Sequence, residues 1–114
     1  MPFRSKETLE RWLTEFRSVR KDGELIHVLI QDGEDGADTG LVIVPLVNVS
    51  TEIVMEPASV GDQQWLIRFE PRAEPFELTS IELHGLAAEL SAAAALCEFL
   101  ERKSIAHFEE GEAI

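Results

Sequence analysis

Hydrophobic positions along this chain fall into two helical patterns that bracket four strand-like runs. Leu9, Trp12, Leu13, Phe16 and Val19 recur at helical spacing, which predicts an amphipathic helix of about four turns. Ser5 is placed to cap it and Glu7 lies in its first turn. Arg17, Arg20 and Lys21 gather at its end, where the helix dipole favours cations, and Gly23 is the expected C′ residue. Glu7 and Arg11 form a favourable i,i+4 pair on the outer side.

Leu25–Gln31, Leu41–Val47, Glu52–Glu56 and Gln64–Glu70 read as strands, separated by turn-rich segments such as Asp32–Gly40. The first two are apolar nearly throughout, the pattern of strands covered on both faces. The last two alternate, Glu52/Val54/Glu56 against Ile53/Met55 and Trp65/Ile67/Phe69 against Leu66/Arg68/Glu70, which suits strands nearer an edge. Centring both apolar strands favours the order 3-2-1-4 over a simple meander.

After the stiff connector Pro71–Pro75, Thr79-Ser-Ile-Glu82 is a capping box that opens a second helix. This helix should reach at least Arg102, and Ile105 and Phe108 extend it to about Glu110. Its stretch Leu86–Leu100 holds only three polar residues, Glu89, Ser91 and Glu98, with Glu89 on the side opposite the other two. A helix apolar on most sides wants cover on more than one. Leu83, Leu86, Leu90, Ala93, Cys97 and Leu100 make a 3-4 seam for its own sheet. Small residues (Ala87, Ala88, Ser91, Ala94, Ala95) line another side, and Ile81, Leu96 and Phe99 a third. Those eight positions are the candidate interface with a partner.

The fold expected is α+β, in the order α-β-β-β-β-α. It has an antiparallel sheet of four strands, or five if Phe76–Leu78 adds an extended piece, with an N-terminal and a long C-terminal helix packed on it. A chain of 114 residues suits one domain, placed at 4–110, with 111–114 as a frayed tail.

Composition adds constraints. The net charge is −12, unevenly spread. Residues 1–21 carry six bases against three acids, 22–67 nine acids and no Lys or Arg, and 68–114 four bases against ten acids. Such a surface disfavours nucleic acid and anionic membranes as partners. No unbroken apolar run approaches the roughly 18 residues of a bilayer span, and the N-terminal residues lack a signal peptide's apolar core. A single cysteine forbids an internal disulfide and fits a cytoplasmic location.

Catalytic and metal chemistry find little support. Cys97 sits in the leucine seam as a small hydrophobe. His27, His84 and His107 are isolated, and no zinc spacing occurs. The Asp32, Glu34, Asp35 and Asp38 loop lacks the EF-hand order. No glycine-rich phosphate loop or nucleophile elbow is present, so no cofactor, metal or catalytic residue is expected. His27, Met55, Trp65 and Phe69, joined by Phe76, are the candidate lining of a pocket between sheet and helices.

Two functional classes follow. The first is a non-enzymatic protein-interaction module, as a homodimer or a subunit of an assembly. The second is a small-molecule binder or enzyme using the aromatic side of the sheet, with His27 or a carboxylate as acid/base. The acidic 22–67 segment also suggests docking of a basic partner. By size, acidity and helix-plus-sheet pattern the chain is similar to the small chaperones of type III secretion systems. That likeness is compositional, involves no shared motif, and departs in that those proteins usually have more helices.

Overall fold

The computed structural model of the chain describes residues 4–20, 26–31, 40–58, 64–71 and 75–112. Helix α1 (Lys6–Val19) is followed by strands β1 (Leu29–Gln31), β2 (Leu41–Pro45), β3 (Glu52–Pro57) and β4 (Trp65–Phe69), then helix α2 (Ser80–Glu112). This is the expected α+β order. Gly23, the Asp32–Asp38 carboxylates and the middle of the Pro71–Pro75 connector lie outside the described residues.

Both predicted helix starts are present. The Ser5 hydroxyl accepts from the Thr8 N–H at 3.2 Å. At α2 the capping box is reciprocal: the Thr79 N–H donates to Glu82 Oε1 at 3.0 Å and the Glu82 N–H donates to Thr79 Oγ1 at 3.2 Å. These bonds satisfy N–H groups that have no partner inside the helix. The Thr79 backbone N–H first, and its hydroxyl second, hold the Glu82 carboxyl below its ordinary pKa, since donors favour its charged form. Helix α2 runs to Glu112, two residues beyond the expected end.

The sheet is an antiparallel meander in the order β1-β2-β3-β4, not 3-2-1-4. Only Leu29–Gln31 of the first apolar run pairs in the ladder, opposite Leu41–Ile43. Ile26, earlier in that run, is buried in the core, and its carbonyl accepts from Arg17 of α1 at 3.3 Å. The run is therefore apolar because its first part packs beneath α1, not because it forms a central strand. Its paired part is short and sits at an edge, where Leu29 is 53% exposed.

The strand covered on both faces besides β2 is β3. Its Ile53 and Met55 face the helices, and Val54, on the other face, is only 4% exposed. Register places Val54 between Ile43 and Arg68. Arg68 bonds Glu56 at 2.7 Å and Glu70 at 3.5 Å, so long charged side chains flank a short apolar one and shield it.

On the helix-facing side, Val42, Val44, Ile53, Met55 and Trp65 pack against Leu9, Trp12, Leu13 and Phe16 of α1 and Ala92, Ala93, Leu96, Cys97 and Leu100 of α2. Val19, expected on the buried face of α1, is 68% exposed because it is the last helical residue. At about 1.5 Å per residue, the 33 residues of α2 span the molecule's longest dimension, 53 Å. Its strands are far shorter, so the N-terminal turns of α2 overhang one end of the sheet.

At the opposite end, Arg4, Trp65 and Ser104 meet in the interior. Arg4 is fully buried, its guanidinium 5.5 Å from the Trp65 ring centroid. The Ser104 hydroxyl oxygen accepts from Arg4 Nη1 at 3.1 Å and from Trp65 Nε1 at 2.9 Å. Nearby, the Gly40 N–H donates to the Arg4 carbonyl at 3.0 Å. A Cβ on Gly40 would lie 2.5 Å from the Gln31 carbonyl oxygen, so the strands meet there only with glycine.

Candidate functional site

The overhanging start of α2 and the near end of the sheet flank an apolar cavity that is open to solvent on one side. Its position depends on Glu89. A lone acid inside an apolar helix segment needs a polar partner if it is buried, and Glu89 is 4% exposed. Its Oε2 accepts the Val47 N–H at 2.7 Å, and its Oε1 accepts the Asn48 N–H at 3.0 Å as well as the Asn48 side-chain amide. Two successive N–H groups of the β2–β3 turn thus converge on one carboxylate of α2. Gly85, one turn earlier on the same helix side, provides the notch for Asn48: a Cβ there would lie 2.8 Å from Asn48 Oδ1.

With the turn held against α2, Leu46 and Val49 form one wall of the cavity. Phe69 and Glu70 at the end of β4 form a second, Phe76 a third, and Leu86 and Leu90 of α2 the roof. The volume is about 260 Å³. Thr51 also lines it, but its hydroxyl donates to the Glu70 carbonyl at 3.1 Å, which leaves an essentially apolar interior. Phe69 and Phe76 of these walls are exposed by half or more, as is Leu83, one turn before Leu86 on the same side of α2; Ile81, 82% exposed, lies on the other side of the helix. A second hollow of about 320 Å³ is lined, among the described residues, by Glu7, Glu10, Arg11 and Thr14 of α1.

Of the candidate pocket residues, Phe69 lines this cavity and Phe76 joins it. Met55 and Trp65 belong to the closed core, and His27 is exposed on the segment before β1. The structure therefore does not bring those four together.

The candidate interface residues divide in the same way. Ile81, Ala87, Ala88, Ser91 and Ala94 are exposed, Ala95 is half-buried, and Leu96 is in the core. Phe99 is covered from within the chain: its ring lies 5.4 Å from that of Phe16. Lys103, 5.7 Å from the Phe99 ring, also bridges to Glu15 of α1 at 2.6 Å. The leucine seam is core only in its second half, at Ala93, Cys97 and Leu100. Leu86 and Leu90 are half-buried over the cavity and Leu83 is exposed.

Reasoning from sequence missed Glu89 as an anchor and Leu46, Val49, Leu86 and Leu90 as cavity walls. The available signal was Glu89 itself, an acid with no charged neighbours on its face of an apolar helix.

The Cys97 thiol is pushed up to about 11 by burial and, secondarily, by the nearby Glu101 carboxylate, which suppresses the reactive thiolate. Among the described residues no group of three His, Cys, Asp or Glu side chains is placed to hold a metal ion. By length and composition alone, Ser80–Ala106 is apolar enough to cross a bilayer; in the fold its middle supplies Ala92, Ala93, Leu96 and Leu100 to the core.

Compared with known proteins, the chain matches no family model, no curated protein and no solved structure.

Proposed function

We propose that this protein is a non-enzymatic protein-interaction module that receives an apolar side chain of a partner in the cavity beneath Leu86 and Leu90. The observation that carries this reading is the pairing of that cavity with exposed apolar residues at it and beside it, Phe69 and Phe76 in its walls and Leu83 next to Leu86. Contiguous exposed apolar surface of this kind marks binding sites on otherwise polar proteins. At about 260 Å³ the cavity falls below the roughly 300–1,000 Å³ of small-molecule pockets, and its interior offers few polar groups to orient a substrate. Size and lining both favour one bulky side chain of a protein over a metabolite.

Peptide display against the full chain tests the reading. Selected peptides should lose most of their affinity for a Phe76→Ala variant, which alters an exposed residue and leaves the core intact. Peptides that bind the variant as well as the wild type, or a selection that never rises above background, would overturn it. Sedimentation of the unliganded protein tests the rival occupant, a second copy of the chain held along Ala87, Ala88, Ser91 and Ala94. A dimer that Phe76→Ala leaves intact would place self-association on that helix side and separate it from the cavity.

A further inference from the structure

We infer that the cavity's occupant is a basic-apolar segment of another protein: one bulky apolar side chain flanked by Lys or Arg. The inference rests on the interaction reading above and adds the partner's chemistry to it. Glu70 lines the cavity, Glu77 and Glu82 lie on the segments that carry Phe76 and Leu86, and residues 68–90 hold five acids (Glu70, Glu74, Glu77, Glu82 and Glu89) against two bases, Arg68 and Arg72. Arg68, the base nearest in sequence to the cavity-lining part of β4, is engaged with both Glu56 and Glu70. An apolar mouth with an acidic surround attracts cations and repels acidic chains, including a second copy of this one at −12.

The two parts of the site do different work. The cavity supplies affinity by removing an apolar side chain from water. The carboxylates, exposed and screened by salt, raise the association rate and select the partner. Acidity alone would point to no particular place on this surface. The apolar cavity localises it, because a basic segment without an apolar anchor has nothing to hold it there.

The experiment uses the full chain and three short fluorescent peptides with the same tryptophan anchor, flanked by Lys, Gln or Glu. The Lys peptide should bind at least about tenfold more tightly than the Gln peptide, with the advantage fading as salt rises. Glu77→Gln with Glu82→Gln should reduce that advantage while leaving the Gln peptide unaffected; glutamine at 82 preserves the capping box. Phe76→Ala should weaken all peptides that bind. Unchanged melting temperatures for these variants confirm that they fold.

Equal binding of the Lys and Gln peptides, both sensitive to Phe76→Ala, would overturn the basic-partner inference and leave the interaction reading standing. Binding of the Lys peptide that ignores Phe76→Ala would overturn the cavity as the site. No binding by any peptide, together with a dimer weakened by Phe76→Ala, would overturn the inference in favour of a second copy. No binding and no dimer would overturn both readings.

Discussion

Glu89 and Asn48, 41 residues apart in sequence, are joined twice: one carboxylate oxygen of Glu89 accepts both the backbone N–H and the side-chain amide of Asn48. Its other oxygen accepts the Val47 N–H at 2.7 Å. The β2–β3 turn is thereby tied to the middle of α2, and the cavity walls at Leu46 and Val49 are set by that tie. A buried carboxylate with three donors is satisfied; the same donors without it are not.

Glu89→Ala should therefore cost more than a surface glutamate would. It leaves the Val47 and Asn48 N–H groups without their acceptor, a loss of about 3 kcal/mol. Glu89→Gln retains one acceptor oxygen and should lose about half as much. Urea unfolding monitored by circular dichroism measures both.

Gly85→Ala should depart from the usual rule. Replacing an interior helical glycine with alanine ordinarily gains about 1 kcal/mol. Here the new Cβ would meet the Asn48 side chain at 2.8 Å, displacing an amide already bonded to Glu89. The expected outcome is no gain, or a net loss, in the native background. In an Asn48→Ala background the ordinary gain should reappear. A double-mutant cycle of unfolding free energies reads this coupling directly.

Ser104→Ala removes the one hydroxyl that accepts from both Arg4 and Trp65. Both donors are buried, so the loss should be about 2 kcal/mol. The indole then changes its hydrogen bonding as well, so the fluorescence of Trp65 in the folded state should shift. Trp12→Phe as the background isolates that signal.

Cys97 predicts an alkaline effect. Burial first, and the Glu101 charge second, raise its folded-state pKa from the ordinary 9.0 to about 11. The unfolded chain therefore loses the thiol proton before the folded chain does. The contribution of Cys97 is complete below pH 9.0 and is lost as pH rises through about 11. Cys97→Ala should flatten that part of the stability profile. Native protein should also alkylate far more slowly than unfolded protein at neutral pH, because little thiolate forms.

What was legible in the sequence was local. The Ser5 and Thr79 caps are bonds between groups three residues apart, so the residue types at that spacing reveal them. The buried face of α1 from Leu9 to Phe16 follows equally from helical periodicity. The strand order did not follow, because an apolar run has two uses. Ile26 spends its burial beneath α1, whereas Leu29 sits in an edge strand. Val54 between two glutamates looked half-wet, yet Ile43 and Arg68 of the neighbouring strands flank it, and Arg68 reaches across to Glu56. Cross-strand shielding of that kind has no trace in the alternation of a single strand.

The apolar stretch of α2 marks the division most clearly. Sequence determined that Leu86–Leu100 is helical, where it begins, and that it needs cover on more than one side, since each depends on neighbouring residues. Tertiary structure alone decided what provides the cover. It placed Phe16 against Phe99, turned Leu86 and Leu90 into a cavity roof, left Ile81 in solvent, and gave Glu89 to a turn 41 and 42 residues away. The reason is physical. Burial and hydrogen-bond satisfaction are properties of neighbours in space, and the chain's path sets those neighbours.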